Sequence, residues 1–293
     1  RYEGFSDIIY VKIRLNKRKS SLVHRCCELR LLNFPYTLYP IPYTLYPIPH
    51  PMKICGAQTK PVTGNIQVNI ERHLLFIDRA FSSGADVIIF PELSLTGYEP
   101  SLAKKLSTGA DDQRLDVFQI ISDTHSVTIG VGVPTNNGNH VSISMILFQP
   151  NKPPRVYSKK YLHRDEDEFF VPGVNFPCLR INDTSIGIAI CYELSIPEHF
   201  SAARESGADI YIASVAKFAN GVENAVKTLS DIAIKHSIPV FMVNAVGAAD
   251  NGICTGNTSV WNSKGQLAGQ LGSSTEGLII YDTVSEETIV KTI

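Results

Sequence analysis

Short apolar runs alternate with amphipathic segments along most of this chain, and the alternation predicts an α/β fold. The apolar runs are rich in β-branched residues, as expected of strands that are covered on both faces. Strands are predicted at residues 53–57, 86–90, 128–133, 142–148, 186–190, 210–212, 240–244 and 278–281. Apolar positions at helical spacing predict helices near residues 69–81, 114–124 and 222–236.

One segment of this pattern occurs twice. Residues 83–89 read Ser-Gly-Ala-Asp-Val-Ile-Ile, and residues 206–212 read Ser-Gly-Ala-Asp-Ile-Tyr-Ile. Each copy follows an amphipathic segment, and Gly84 and Gly207 are predicted to cap the ends of the two helices. Two helix-glycine-strand units of the same kind imply a fold that is built from two similar halves.

The repeat also relates two loops to each other. Glu92 lies three residues after Ile89, and Val215 lies three residues after Ile212. We therefore predict that the segment from Val215 to Lys217 lines the same pocket as Glu92, approaching it from the other half. The alternative, in which Lys217 only caps a surface loop, stays open. Specificity is expected to depend on loops such as residues 97–112 and 218–224.

Cys191 follows the apolar run at residues 186–190 and opens a turn. Residues 195–198 combine a capping hydroxyl, an early Pro and an acidic residue, which is typical of a helix start. A thiol at such a strand-turn-helix corner is exposed for nucleophilic attack, and the amino end of a helix favours its thiolate form. A core cysteine is the alternative interpretation.

Two further residues could activate this thiol. Glu92 follows the apolar run at 86–90 and a Pro, so its carboxylate is predicted at the ligand-binding edge of a parallel sheet. Lys159 is the third candidate, and its neighbour Lys160 competes with it. Because neighbouring residues on an extended segment face opposite ways, only one of the two lysines can enter a pocket.

Four motifs in this chain resemble those of the nitrilase, or carbon-nitrogen hydrolase, superfamily, in its amidase-like branch. They are Phe90-Pro91-Glu92, Tyr157-Ser158-Lys159-Lys160-Tyr161-Leu162, the acidic segment 166–173 that ends in Phe-Val-Pro-Gly, and Cys191-Tyr192-Glu193. They occur in the family's order and at roughly its spacing, over about residues 52–282. The resemblance implies a four-layer α-β-β-α sandwich with two pseudo-symmetric halves. It also favours Lys159 over Lys160, whereas Glu193 stands where the family more often has Asp.

The same resemblance implies a catalytic triad of Glu92, Lys159 and Cys191. Glu92 would take the proton of Cys191 and later return it to the departing ammonia or amine, leaving a thioester that water hydrolyses. Lys159 and the backbone N–H of Tyr192 would hold the oxyanion. Glu166 is the best match to the family's substrate-orienting glutamate, and Glu168 competes for that role.

Three functional hypotheses follow. The first is an amidase that acts on a small linear amide or carbamoyl compound, with nitrile hydrolysis at the same site as its variant. The second is a cysteine hydrolase in which His199 or His163 is the base. The third is a binding protein that keeps the fold without catalysis. An intact set of Glu92, Lys159 and Cys191 argues against the third.

Residues 1–51 differ in composition from the rest of the chain. They include the tandem heptad at 35–48 with repeated Pro, and they are basic, whereas residues 52–293 are acidic. We predict a leader at 1–51 that is disordered or not native, and a carbon-nitrogen hydrolase domain at 52–293.

Composition excludes several other classes of protein. The chain has 293 residues, 44% hydrophobic and 19% charged, with a formal net charge of −1, which gives no support for nucleic-acid binding. The six cysteines have no CxxC spacing, so a reducing, cytoplasmic compartment is expected. Neither a metal site, a cofactor motif nor a membrane span is predicted. The expected partners are an amide substrate, water and, from the resemblance alone, a second copy in a homodimer or larger assembly.

Overall fold

The computed structural model describes residues 51–293. The prediction of a leader at 1–51 therefore lies, apart from Pro51, outside the described residues and stays a prediction. The described strands are, in chain order, β1 (Lys53–Gln58), β2 (Val87–Ile89), β3 (Thr128–Asn137), β4 (His140–Phe148), β5 (Arg155–Ser158), β6 (Leu179–Ile181), β7 (Thr184–Ile190), β8 (Ile210–Val215), β9 (Val240–Asn244), β10 (Val246–Ala249), β11 (Gly252–Thr255), β12 (Ser259–Trp261), β13 (Leu267–Gln270), β14 (Gly277–Asp282) and β15 (Thr288–Thr292). The α-helices are α1 (Ile66–Phe81), α2 (Ala103–Leu106), α3 (Asp116–His125), α4 (Pro197–Glu205) and α5 (Ala219–His236).

These elements form two main sheets and a small hairpin. The first sheet has the order β15-β14-β1-β2-β3-β4-β5, the second has the order β13-β12-β9-β8-β7-β6, and β10 pairs with β11. One apolar cluster combines residues of both sheets, such as Ile143 and Met145 of the first with Ile188 and Phe241 of the second. Two further clusters join the first sheet to α1 and α3, and the second sheet to α4 and α5. The predicted four-layer α-β-β-α sandwich is confirmed.

The two sheets share one topology. In both β14-β1-β2-β3-β4-β5 and β6-β7-β8-β9-β12-β13, successive neighbours are antiparallel, parallel, parallel, antiparallel and antiparallel. Only β15 extends the first sheet beyond this shared order. The predicted pseudo-symmetry is therefore present strand by strand.

The sequence repeat occupies equivalent positions in the two halves. Gly84 and Gly207 both adopt left-handed φ angles, +80° and +85°, and the N–H of each bonds to the carbonyl three residues earlier, as in a Schellman cap. Asp86 and Asp209 then accept hydrogen bonds from backbone N–H groups of β1 and β7, at 2.7 and 2.8 Å respectively. The repeated Ser-Gly-Ala-Asp segment thus ends a helix and fastens the next strand to its neighbour.

The predicted elements are found with shifted ends, and several short ones were missed. Helix α1 begins at Ile66 because Asn65 caps it, and α5 begins at Ala219, three residues earlier than expected. A two-residue turn, Gly138-Asn139, joins β3 to β4. The missed strands are β5, β6, β10 to β13 and β15. In the described part of the chain, no helix is both long and apolar enough to cross a membrane.

Candidate active site

Cys191 sits at a sharp corner directly after β7. Its φ angle is +46°, a left-handed backbone conformation that residues other than glycine rarely adopt. Residues Cys191–Ser195 form a 3₁₀ helix. Helix α4 then begins at Pro197 with Glu198 in its first turn, as predicted. The predicted capping role of Ser195 is wrong, because Ile196 is the cap residue and no side chain caps this helix.

The side chain of Glu193 holds this corner in place through hydrogen bonds. Its carboxylate is fully buried and accepts hydrogen bonds from the backbone N–H of Ile190 (2.9 Å), the hydroxyl of Tyr157 (2.8 Å) and the backbone N–H of Lys160 (2.7 Å). Tyr157 and Lys160 flank Lys159 in the sequence. Glu193 therefore ties the segment that carries the candidate nucleophile to the segment that carries the candidate lysine.

His199 belongs to the same buried network and not to the thiol's surroundings. Its ring nitrogens bond to the hydroxyls of Tyr157 (2.7 Å) and Tyr211 (2.9 Å), and burial lowers its pKa. His163 is exposed and pairs with Asp165 at 2.5 Å. Both ring nitrogens of His199 are occupied, which argues against it as the base, whereas His163 lies in the wall of the same cavity as Cys191 and stays open as a hypothesis.

The Glu92 loop is held by contacts from both halves of the sandwich. From the first sheet, Gly132 lies so close that a Cβ built on it would meet the Pro91 carbonyl oxygen at 2.3 Å and the Leu93 nitrogen at 2.5 Å. From the second sheet, the Ser214 hydroxyl donates to the Phe90 carbonyl at 2.8 Å. The position of Glu92 thus depends on a glycine in β3 and a serine in β8.

Lys159 is fixed at the end of β5 through its backbone. Its N–H donates to the carbonyl of Ile143 in β4, and its carbonyl accepts from the N–H of Gly173, both at 2.8 Å. Its side chain is completely buried, whereas Lys160 is exposed. Lys159 is therefore the lysine that enters the site, as the motif favours.

The Lys159 ammonium lies between two carboxylates. Its Nζ donates to Glu92 Oε1 at 2.9 Å and to Glu166 Oε1 at 2.7 Å, and Tyr98 also donates to Glu166 Oε1 at 3.0 Å. An ammonium has three N–H donors, so the described side chains use two and leave one for a further acceptor. Glu168 is exposed, so the geometry favours Glu166 as the second glutamate.

The candidate nucleophile meets this cluster at Glu92. Burial raises the pKa of Glu92, and the Cys191 thiol is among the groups that oppose this rise. Within the described chain, Glu92 Oε2 is buried without a hydrogen-bond partner. One carboxylate oxygen is therefore committed to Lys159, and the other is available to accept a proton.

The pKa values of Cys191 and Glu92 are both raised, which favours the neutral form of each group. Burial raises the pKa of Cys191 to about 11, the negative charge of Glu92 adds to this, and Lys217 and Lys159 only partly oppose it. Burial also raises the pKa of Glu92, with Lys159 opposing and Glu166 adding to the rise. Burial alone would lower the pKa of Lys159, but Glu92, Cys191 and Glu166 raise it overall.

Lys159 favours the thiolate of Cys191, as expected, but burial and the negative charge of Glu92 outweigh it, so the pKa of the thiol is raised overall. A thiolate would add a second net negative charge to a buried group of one ammonium and two carboxylates. Deprotonation of Cys191 consequently requires a base at the moment of attack, and Glu92 is the carboxylate in place to supply it.

A cavity of about 440 Å³ opens beside Cys191, which is partly exposed to it. Its wall includes Glu166, Tyr192 and Lys217, as predicted from the sequence. It also includes Ala216 and residues of the predicted specificity loops, namely Tyr98, Phe218, Ala219, Asn220 and Gly221. Sequence reasoning missed Asp165, Asp250 and Asn251, of which only Asp165 carried a signal, because it precedes Glu166.

Val215 does not line this cavity, and the prediction that it does is wrong. It is fully buried in the core between the second sheet and its helices. Side chains alternate along a strand, and Ser214 points toward the first sheet, so Val215 points toward the helices. The cavity wall begins one residue later, at Ala216.

Metal-ligating side chains are not grouped near this cavity. Within residues 51–293, no set of three or more His, Cys, Asp or Glu residues could hold a metal ion. The chemical groups that converge are a thiol, two carboxylates and an ammonium, which suit acyl transfer to sulfur.

A thiol, a carboxylate and an ammonium that converge within an α-β-β-α sandwich are the chemical groups of proteins that transfer acyl groups through a cysteine. The carbon-nitrogen hydrolase family model matches residues 53–290, so this chain belongs to the carbon-nitrogen hydrolase family. Solved structures of an amidase from Nesterenkonia sp. AN1 share the fold. The complex of this amidase with acrylamide has a TM-score of 0.71 and 23% identity, covering 79% of this chain and 90% of that one.

Curated relatives are about as distant in sequence and differ in length. A glutamine-dependent NAD(+) synthetase of Acinetobacter baylyi is 26% identical over 77% of this chain, but this chain covers only 43% of that protein. A probable nitrilase of Schizosaccharomyces pombe is 23% identical over 78% of this chain and 87% of its own length. An (R)-stereoselective amidase of Pseudomonas is 25% identical, covering 69% of this chain and 74% of the relative.

Proposed function

We propose that this protein hydrolyses the carbon-nitrogen bond of a small linear amide or carbamoyl compound through a thioester on Cys191. The observation that carries the proposal is Lys159, held at 2.9 Å from Glu92 and 2.7 Å from Glu166, which lines the same cavity as Cys191. This arrangement supplies a nucleophile, a base and an oxyanion donor at one place.

In the first half-reaction, Glu92 Oε2 accepts the thiol proton as sulfur attacks the amide carbonyl carbon. The carbonyl oxygen becomes an oxyanion, which receives the remaining N–H of Lys159 and the backbone N–H of Tyr192. Glu92 returns the proton to the nitrogen, the carbon-nitrogen bond breaks, and ammonia or an amine leaves. A thioester remains on Cys191.

In the second half-reaction, water replaces the departed amine. Glu92 takes a proton from the water molecule as the water oxygen attacks the thioester carbon. Lys159 and the backbone N–H of Tyr192 again hold the oxyanion. Collapse of the intermediate breaks the carbon-sulfur bond, and the proton passes from Glu92 to sulfur. The products are the free acid and the neutral thiol, which is the form that the raised pKa of Cys191 favours at rest.

A second candidate function is hydrolysis of the side-chain amide of glutamine. The first curated relatives are glutamine-dependent synthetases, and this chain spans less than half of their length. Release of ammonia to another protein or domain would fit that relationship. Nitrile hydrolysis at the same site and ligand binding without catalysis also stay open as hypotheses.

Trapping the acyl-thioester tests the proposal and the nucleophile together. The protein is mixed with a pool of short aliphatic amides, carbamoyl compounds, nitriles and glutamine, quenched in acid and weighed intact. An acyl adduct that maps to Cys191 and is lost in Cys191→Ala is expected, and its mass identifies the substrate. The matched control is Cys178→Ala, because Cys178 is also partly exposed but lies outside the cavity.

The proposal would be abandoned if Cys191→Ala released ammonia from these amides as fast as the parent protein. Association into a homodimer or larger assembly and a cytoplasmic location stay predictions, which rest on family resemblance and on cysteine usage respectively. The four cysteines of the described region are free thiols, which is compatible with a reducing compartment.

A further inference from the structure

Lys217 is held at the cavity by its backbone. It lies two residues after the end of β8, and the side chain of Asn244 accepts from its N–H at 2.8 Å and donates to its carbonyl at 3.1 Å. Asn244 is itself fully buried at the end of β9. Two strands of the second sheet therefore set the point from which the lysine side chain leaves the backbone.

The stem of Lys217 packs against the first turn of α5. A Cβ built on Gly221 would lie 3.5 to 3.7 Å from the Cβ, Cγ and Cδ atoms of the lysine. Within residues 51–293, the ammonium has neither a salt bridge nor a hydrogen bond, whereas Lys159 donates to two carboxylates. Lys217 thus presents an unpaired positive charge in the wall of the cavity.

The start of α5 adds to this positive character. Ala219, Asn220 and Gly221 form its first turn and line the cavity, and neither a capping side chain nor an acidic residue occupies that turn. The unsatisfied N–H groups and the helix dipole both favour an anion there. They add to the attraction that the positively charged side chain of Lys217 exerts on an anion.

The acidic residues of the cavity are only partly balanced by other groups. Glu166 shares the single charge of Lys159 with Glu92, and Asp165 is exposed and pairs with His163. Asp250 is exposed on the turn between β10 and β11, a hairpin that bonds to the Lys217 carbonyl. In the described part of the chain, no ion pair joins Lys217 to any of these carboxylates, so its ammonium is available to a ligand.

We propose that Lys217 binds a carboxylate of the substrate, so that the preferred substrates are amides that carry an anionic group at the end remote from the scissile bond. This inference rests on the proposed amide hydrolysis at Cys191. Lys217 and Cys191 line the same cavity, so a carboxylate bound by the lysine and an amide carbon at the sulfur can belong to one substrate. A substrate spanning both residues is accordingly short, a few carbons between carboxylate and amide, in keeping with the cavity of about 440 Å³.

The test compares glutaramate with pentanamide, two amides of matched length that differ in one terminal carboxylate. The kcat/KM of each is measured for the parent protein and for Lys217→Met, which keeps the stem packed on Gly221 and removes the charge. The parent should prefer glutaramate, and Lys217→Met should lose about 10- to 100-fold of that preference, the factor expected for a charge-assisted hydrogen bond. Lys227→Met is the matched control, because Lys227 is exposed on α5 and outside the cavity.

The outcomes separate this inference from the proposed function. Turnover of both amides with no preference for glutaramate, or a preference that survives Lys217→Met, would overturn the role of Lys217 alone. If the parent protein hydrolysed neither amide, the binding of glutaramate to Cys191→Ala would be measured by calorimetry, with and without Lys217→Met in the same chain. That comparison tests the role of Lys217 independently of turnover. Tighter binding that depends on Lys217 supports the inference, and equal binding refutes it.

Discussion

Replacing Gly132 with alanine tests whether the position of Glu92 is set by close backbone packing. The added methyl would lie 2.3 Å from the Pro91 carbonyl oxygen and 2.5 Å from the Leu93 nitrogen, where ordinary contact begins at 3.4 Å. Both contacts are backbone atoms of the loop that carries Glu92, so no flexible side chain can yield. The loop must therefore move by about 1 Å, a displacement that can lower the rate of a positioned reaction roughly 100-fold.

Gly130→Ala is the matched control, two residues earlier on the same face of β3. Its Cβ would meet the ends of the Ile89 and Met145 side chains, both at 2.8 Å, which can shift without moving the loop backbone. Both variants should lose about 1–3 kcal/mol of unfolding free energy from overpacking. Only Gly132→Ala should lose activity beyond a few-fold.

The assay is steady-state kcat/KM for an amide identified by the trapping experiment, together with urea unfolding of each variant. Comparing activity at equal folded fraction separates misplacement of Glu92 from loss of folded protein. Parent-like kcat/KM in Gly132→Ala would refute the reasoning, and so would an equal loss of activity in Gly130→Ala.

Three more predictions concern the site. Because burial raises the pKa of Glu92 and the base must be ionised, kcat/KM should rise with pH, with an apparent pKa above the usual carboxyl range. Glu92→Gln should abolish this pH-dependent activity. Lys159→Met should lower kcat roughly 100- to 1000-fold, measured by ammonia release, through loss of an oxyanion donor; a loss under ten-fold would contradict that role. Tyr157→Phe removes a hydroxyl that donates to buried Glu193 and should cost about 1–3 kcal/mol of unfolding free energy in urea, whereas Tyr161→Phe should cost less.

Much of the fold could be predicted because its cues are local. The periodicity of the apolar runs placed the central strands, and the duplicated Ser-Gly-Ala-Asp segment identified two related halves before any coordinates. Strands such as β6 and β12, three residues each, carry too few residues for a period, and they form only because a longer neighbour offers hydrogen bonds. Predicted helix ends moved where a cap such as Asn65 was overlooked.

The site was predictable where a motif placed a residue directly after a strand, as with Glu92, Lys159 and Cys191. Extending that logic to Val215 failed, because counting along a repeat ignores which face of the strand a residue occupies. Lys217 was correctly placed at the cavity, but its lack of a partner could not be read from the sequence. The role of Glu193 also became clear only when its carboxylate was found bonded to Tyr157 and Lys160.

The sequence by itself determined the layered α/β architecture, its internal duplication and the chemical types of the reacting groups, because hydrophobic period and local motifs are properties of neighbouring residues. Tertiary structure decided which groups surround Cys191, that Glu166 and not Glu168 contacts Lys159, and which charges line the cavity. Those properties depend on burial and on charges contributed by distant segments, such as Glu92 and Lys159 at 2.9 Å. Distances between residues far apart in the chain come into being only when the two sheets pack.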